Sequence, residues 1–142
     1  MIVQRSILVP YSDQQMFDIV ADIDSYDEFL PWCAHSEVLS SDGEDVEASL
    51  KVAYKNLSMT FSTRNKHRQP REISMQLKSG PFSQLSGAWS FQHLTDQACK
   101  IALSLEFEFE SRMMSRMFSG AFEQIIISQI AAFEARAKQI YR

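Results

Sequence analysis

The stretch IALSLEFEFESRMMSRMFSGAFEQIIISQIAAFEARAKQIY, residues 101–141, decides the fold of this chain. Over residues 101–109, large apolar side chains alternate with small, polar or acidic ones, which is the pattern of a strand with one buried face. Further on, apolar side chains recur at steps of three and four, which predicts a helix with one broad apolar stripe. That stripe consists of Met114, Met117, Phe118, Ala121, Phe122, Ile125 and Ile126. We expect a curved sheet to cover this helix, with a hollow wherever the two surfaces do not meet fully.

Length and composition predict one soluble domain over residues 1–142. No apolar run approaches the ~20 residues that would span a bilayer. The formal charge of −4 argues against a general polyanion binder, and no DNA partner is expected. The two cysteines, Cys33 and Cys99, lie far apart, and no leader pattern precedes them, so a reducing cytoplasmic setting without a disulfide or a metal site is expected.

The start of the chain predicts one strand followed by two short helices. Ile2 to Val9 is an aliphatic run that ends at Pro10, which is typical of a first strand. Ser12 and Gln15 have the spacing of a capping box, which predicts a helix beginning there. Ser25 and Glu28 repeat that spacing, and the second helix should end before the proline at position 31.

The middle of the chain, residues 35–110, has the pattern of consecutive strands. Rows of alternating apolar residues are separated by short turn signals at residues 41–43, 55–56, 69–70, 80–81 and 95–96. Together with the first strand this predicts about seven antiparallel strands joined by hairpins. Because helices are expected only after the first strand and at the end, the chain is predicted to be of the α+β class.

Several short sequence motifs resemble those of one known family. They are LVPYS (residues 8–12), SYDEFLPWC (25–33), FSTRN (61–65), GPFSQLSGAWSF (80–91), LEFEF (105–109) and AFEARAKQIY (132–141). In order and spacing they are similar to the coenzyme Q-binding and ribosome-association toxin family of the START-like, polyketide cyclase-like superfamily. The resemblance implies a helix-grip fold, in which a curved antiparallel sheet wraps around a long C-terminal helix.

The same resemblance implies two functions. The first is binding of ubiquinone, or a similar polyprenyl quinone, in a hydrophobic cavity, as a non-enzymatic carrier or chaperone that supports respiration. Such a protein would be cytoplasmic, would touch the surface of the inner membrane transiently, and would need no covalent cofactor. The alternative is a toxin that binds the large ribosomal subunit and blocks its joining to the small one.

Elementary energetics favour a filled cavity over a dry, empty one. A void costs on the order of 24 cal/mol per Å³, so a ligand-sized void of roughly 400 Å³ would cost about 10 kcal/mol, which is comparable to the stability of a whole domain. Burial of one isoprene unit returns roughly 4 kcal/mol. An apolar lipid with an aromatic head group would therefore offset the cost of the hollow that it fills.

The candidate ligand-binding residues are large apolar side chains on the helix and on the predicted inner face of the sheet. They are Phe29, Leu30, Trp32, Leu50, Phe61, Trp89, Phe91, Met114, Met117, Phe118 and Phe122. Trp89 and Phe91 could stack on a quinone ring, and the indole N–H of Trp89 could reach a carbonyl. The methionines could line a pliable mouth, since methionine adapts to irregular partners, or they could be ordinary core.

The segment of Phe29, Leu30 and Trp32 allows two interpretations. Because it is short and bounded by proline, its apolar residues could form a lid that marks an entrance or a membrane contact. The alternative is simple packing of the segment on the terminal helix.

One strongly basic stretch supports the ribosome hypothesis. Arg64, Lys66, Arg68 and Arg71 crowd the end of one strand, a turn and the start of the next, where they could meet RNA phosphates. Charged hairpin ends also serve solubility alone. A second group, consisting of Arg136, Lys138 and Arg142, could extend the patch or could complement the C-terminal dipole of the helix.

Catalytic motifs are absent from the sequence. It has no nucleophile elbow, no phosphate-binding glycine loop and no zinc-ligand spacing, and its histidines, His35, His67 and His93, fall on three predicted strands. We therefore expect no catalytic and no metal-binding residue. A cyclase-like enzyme remains a minor alternative because some members of the wider superfamily are cyclases.

Overall fold

The computed structural model describes residues 1–141, and Arg142 lies outside the described residues. The elements in chain order are β1 (Ile2–Val9), α1 (Asp13–Ala21), a 3₁₀ helix (Ile23–Glu28), β2 (Cys33–Asp42), β3 (Asp45–Tyr54), β4 (Leu57–Arg68), β5 (Glu72–Ser79), β6 (Phe82–Thr95), β7 (Ala98–Phe109) and α2 (Arg112–Ile140). The predicted α+β class and the helix-grip architecture are confirmed.

The strands form one antiparallel sheet in the order β1-β7-β6-β5-β4-β3-β2. Every pair from β2 to β7 is a hairpin between consecutive strands, as the turn signals predict, and only β1 joins by pairing with the last strand. β1 and β2 therefore lie at opposite edges of the sheet.

The first helix begins as predicted, whereas the second does not. Gln15 N donates to Ser12 Oγ at 3.1 Å and Ser12 N donates to Gln15 Oε1 at 2.9 Å, which completes the capping box. The second capping box is wrong, because the 3₁₀ helix begins at Ile23, before Ser25. The Ser25 hydroxyl instead donates to Asp22 Oδ2 at 2.7 Å. Ser25 therefore bonds to a preceding side chain and does not cap a helix.

The apolar face of β7 packs toward the core as its alternation predicts. Its buried side chains are Ile101, Leu103, Leu105, Phe107 and Phe109. On α2 the buried side chains are Phe122, Ile125, Ile126, Ile130, Phe133 and Ala137.

The predicted apolar stripe of α2 is wrong at Met117, whereas Met114, Phe118 and Ala121 pack against the core. Met117 is 62% exposed, and Met114 and Phe118 are half-buried. The reason is that the sheet covers the helix fully only from Phe122 onward, which helical periodicity alone does not reveal. Within residues 1–141, no helix combines the length and the apolar character needed to cross a membrane.

Candidate functional site

A cavity lies between the concave face of the sheet and α2. Its lining residues are Val20, Ile23, Tyr26, Trp32, Ala48, Leu50, Phe61, Thr63, Asn65, Ile73, Met75, Leu85, Trp89, Leu103, Leu105, Phe122, Ile125, Ile126 and Gln129. The volume open to the centre of a water molecule is about 70 Å³. The whole space between the lining atoms, which includes open solvent, is about 760 Å³. The water-accessible volume is much smaller than that of a typical ligand site, which is roughly 400 Å³.

The mouth of the cavity is marked by the lining side chains that remain partly exposed. These are Leu50 on β3, Met75 on β5 and Gln129 on α2, while the other lining residues are buried. Near this side, Gln124 Oε1 accepts hydrogen bonds from the Tyr54 hydroxyl at 3.1 Å and from Lys55 Nζ at 2.9 Å. The opening therefore lies between the middle of α2 and the strands β3 to β5.

Two buried polar atoms in the lining have no hydrogen-bond partner among residues 1–141. They are the indole nitrogen Nε1 of Trp32 and the amide oxygen Oδ1 of Asn65, on side chains that are 3% and 6% exposed. An unsatisfied buried donor or acceptor costs about 1–3 kcal/mol. The Asn65 amide can present either its oxygen or its nitrogen after rotation. Both atoms are closed off from solvent in the described structure, so a ligand would reach this N–H donor and this amide only when the cavity widens.

Asn65 reaches the cavity because of its place in β4. Phe61, Thr63 and Asn65 follow one another at steps of two, so they share the inward face of the strand. Asn65, Thr63 and Gln129 were not among the predicted residues, because apolar and aromatic side chains alone were considered as ligand contacts. The available signal was an amide at an inward position of an alternating strand, where an apolar residue is usual.

The described lining residues include no carboxylate, imidazole, amine, guanidinium or thiol. The phenol of Tyr26 is the only group there with a pKa shift, and burial raises that pKa further above its ordinary value. Its hydroxyl donates to the carbonyl oxygen of Val20. The walls therefore stay uncharged throughout the neutral pH range.

The cysteines and histidines lie outside the lining. Cys33 and Cys99 are free and buried, and burial raises each thiol pKa to about 11, so both are protonated at neutral pH. Burial lowers the pKa of His67, whose ring packs edge-on against Phe17. In the described part of the chain, no group of three or more potential ligands could hold a metal ion.

The structure brings five of the predicted ligand-binding residues together around the cavity. They are Trp32, Leu50, Phe61, Trp89 and Phe122. The other six, which lie outside the lining, are Phe29, Leu30, Phe91, Met114, Met117 and Phe118. Their roles in binding therefore stay predictions that this geometry does not favour.

The segment from Phe29 to Trp32 is packed rather than exposed. The ring of Phe29 lies 5.5 Å from that of Phe133 on α2, and the Arg136 guanidinium lies 4.8 Å from the Phe29 ring centroid. Leu30 is only 2% exposed. Of the two interpretations, packing on the terminal helix describes this segment, and no exposed lid is present in it.

Phe91 lies on the same face of β6 as Trp89 but next to α1 rather than next to the cavity. Its ring centroid lies 5.7 Å from that of Phe17 on α1. Trp89 instead lies edge-on to Phe133 at 5.1 Å and reaches the cavity.

The predicted basic patch is exposed but accompanied by carboxylates. Arg64 Nε lies 3.4 Å from Glu47 Oε1. Lys66 Nζ lies 3.6 Å from Asp45 Oδ1, and Arg68 Nη1 lies 3.7 Å from Glu72 Oε2. Such exposed pairs contribute little to stability, but they reduce the positive potential that a phosphate would meet. Arg71 completes the patch at the start of the next strand.

The residues of the second basic group, Arg136, Lys138 and Arg142, differ in their surroundings. Arg136 Nη2 lies 3.5 Å from Glu28 Oε1, Lys138 is exposed near the end of α2, and Arg142 lies outside the described residues. An extension of the patch to this group stays a prediction.

Similarity to known proteins identifies the family of this chain. The model of the family described as "Polyketide cyclase / dehydrase and lipid transport" matches residues 9–134. The chain belongs to this family. Its START-like fold agrees with the cavity between helix and sheet.

Two relatives of this family member carry informative names. The "Ribosome association toxin RatA" of Escherichia coli (strain K12) is 38% identical over 139 residues, which cover 98% of this chain and 88% of that protein. The "Coenzyme Q-binding protein COQ10 homolog B, mitochondrial" of Xenopus laevis is 29% identical over 141 residues, which cover 96% of this chain and 58% of that protein. Both are named for association or binding rather than for catalysis.

The fold of the family member also matches solved structures. The Zhui aromatase/cyclase from a Streptomyces species superposes with a TM-score of 0.90 at 17% identity, over 100% of this chain and 96% of that one. At this identity the match supports the fold alone.

Proposed function

We propose that this protein binds a polyprenyl quinone, such as ubiquinone, non-covalently in the cavity and acts as its carrier. The observation that carries the proposal is the pair of unpartnered polar atoms, Trp32 Nε1 and Asn65 Oδ1, in a lining that is otherwise almost entirely apolar. A quinone ring bears oxygen atoms on a flat apolar body, so it could accept from the indole N–H and bond to the amide. The name of the COQ10 relative supports this ligand class.

Uptake requires the narrow cavity to widen. Leu50 and Met75 at the mouth are the side chains with the most freedom, because they are partly exposed and methionine has three rotatable bonds. The ring would lie inside against Trp89 and Phe122, and the prenyl tail would extend through the mouth.

The uncharged walls support binding without chemistry. General acid–base catalysis needs a titratable group within hydrogen-bond reach of the substrate, and the described lining supplies none with a pKa near neutral. We therefore propose that the protein is not an enzyme.

The test combines lipid extraction with an exchange of one side chain. We expect the purified protein to yield a quinone by mass spectrometry, and Asn65→Leu to weaken quinone binding about ten-fold, because one hydrogen bond is lost. The same change should leave the stability of the ligand-free protein equal or higher, since leucine has no orphaned polar atom.

The control is Asn56→Leu, which changes the exposed asparagine of the β3–β4 turn. It should leave quinone binding unchanged. A protein that carries no quinone and takes up none from vesicles would refute the proposal.

A second candidate function is association with the large ribosomal subunit. It is favoured by relatives named RatA, which are 38% to 42% identical over almost the whole chain. The exposed cations Arg64, Lys66, Arg68 and Arg71 are its candidate contacts. The two functions use different surfaces, because one lies inside the sheet and the other on its outer face.

For this candidate we expect co-sedimentation with large ribosomal subunits that weakens as salt rises. Glutamine at Arg64, Lys66, Arg68 and Arg71 should weaken it strongly and lower the salt slope by about three. Glutamine at Arg5, Lys51 and Lys100, which are exposed on other strands, serves as the control. Equal sedimentation of both variants would exclude this patch.

A further inference from the structure

The first turns of α2 present an exposed apolar face. Met113 is 71% exposed, more than any other large apolar residue in the described chain, and Met117 is 62% exposed one turn later. Gly120 continues the same face, and the space around its Cβ position is open. We call the exposed residues Arg112, Met113, Arg116, Met117 and Gly120 the methionine face.

The methionine face is positively charged. Arg112 and Arg116 are exposed on it, and neither has a carboxylate within salt-bridge distance in the described residues. Residues 111–122 include no acidic side chain, although the whole chain has a formal charge of −4. Glu110 and Glu123 flank the segment at its two ends.

The charge distribution differs from that of the basic patch on β4. There, each of Arg64, Lys66 and Arg68 has a nearby carboxylate and the interleaved residues point inward. On α2 the unpaired arginines instead alternate with exposed methionines. This combination of cations and flexible apolar side chains on one helix face is typical of binding at the surface of an anionic bilayer.

A second observation connects this face to the cavity. Phe118, on the half-buried side of the same turns, lies 6.3 Å from the ring of Phe109, which stacks on Phe82 at 4.8 Å. Phe82 in turn lies 5.6 Å from Phe61, a lining residue. A continuous row of aromatic rings therefore runs from the half-buried side of these turns to the cavity wall.

We propose that the methionine face docks on the surface of a membrane containing anionic lipids, with Met113 and Met117 entering the interfacial region and Arg112 and Arg116 bonding to lipid phosphates. This contact replaces the predicted one through Phe29, Leu30 and Trp32, which are packed against the rest of the protein. RNA is the less suitable partner, because phosphate contacts need no exposed methionines. The proposal holds whatever the cavity binds.

Flotation with lipid vesicles tests this contact directly. The full chain should float with phosphatidylcholine vesicles that contain phosphatidylglycerol, and weakly with phosphatidylcholine alone. Arg112→Gln with Arg116→Gln should lower the partition coefficient roughly 30-fold, and high salt should have a similar effect. Met113→Gln with Met117→Gln should lower it roughly ten-fold on both kinds of vesicle. Glutamine keeps the helix, since its helical propensity is close to that of both residues.

Matched controls change two exposed apolar side chains and two exposed cations elsewhere. Leu8 and Leu94 are 68% and 45% exposed at the opposite end of the sheet, and glutamine there removes similar apolar surface. Arg5→Gln with Lys100→Gln removes two exposed charges. Both controls should float like the wild-type protein.

Three outcomes would overturn the proposal. The first is a wild-type protein that does not float with anionic vesicles. The second is flotation that both α2 variants retain. The third is a loss confined to large ribosomal subunits, with flotation unchanged, which would assign Arg112 and Arg116 to RNA. Quinone content, measured in the same variants, is a separate readout and should not change.

Discussion

Alanine at Gly87 is expected to lower the free energy of unfolding by about 3 kcal/mol or more. The added Cβ would lie 2.1 Å from the carbonyl oxygen of Ser104 and 2.8 Å from the Cα of Leu105. Both are backbone atoms of β7, and Gly87 is paired with Leu105 in the middle of the sheet, so they cannot move without opening the β6–β7 ladder. Glycine is required there because the two backbones approach closely.

Gly120→Ala provides the matched control, since it is the same chemical change with open space around the new atom. Because alanine is a better helix former, it should raise stability by about 1 kcal/mol or less. Urea denaturation measures both changes through the midpoint at a constant slope. A Gly87→Ala protein as stable as the wild type would contradict the packing described for β6 and β7.

Leucine at Ala48 is expected to weaken quinone binding roughly 100-fold while the protein stays folded. Ala48 is 3% exposed and lines the cavity, so an isobutyl group in place of its methyl would occupy the space that the ring needs. Overpacking costs up to about 3 kcal/mol, which corresponds to roughly 100-fold weaker binding. In the ligand-free protein the same side chain fills a hollow, so stability should fall little or rise.

Ala53→Leu is the control for this change, because Ala53 is exposed on the same strand. Quinone titration followed by tryptophan fluorescence measures both variants, since Trp32 and Trp89 both line the cavity. If Ala48→Leu bound quinone like the wild type, the ligand would have to occupy another site.

Local signals predicted most of the fold. The alternation of β7, the turn residues between hairpins and the capping box at Ser12 depend on neighbours in sequence, and each is confirmed. The spacing of Ser25 and Glu28 failed because an equally local bond, from Ser25 to Asp22, competes with capping.

The candidate site was predictable only in part. Trp89 and Phe61 follow from strand alternation, but the exposure of Met117 and the unpartnered amide of Asn65 do not. The exposure of Met117 depends on how far the sheet extends along the helix, which is a long-range property. The inward position of Asn65 could be read from the alternation of its strand, but its lack of a hydrogen-bond partner depends on the surrounding packing.

The described lining has no side chain that titrates near neutral pH, which has a consequence for electron transfer. Reduction of a quinone consumes protons as well as electrons, and neither the neutral amide of Asn65 nor the phenol of Tyr26, whose pKa is raised by burial, can deliver protons near neutral pH. A quinone bound as proposed would therefore receive no proton from these walls. The cargo should leave the protein in the oxidation state in which it entered.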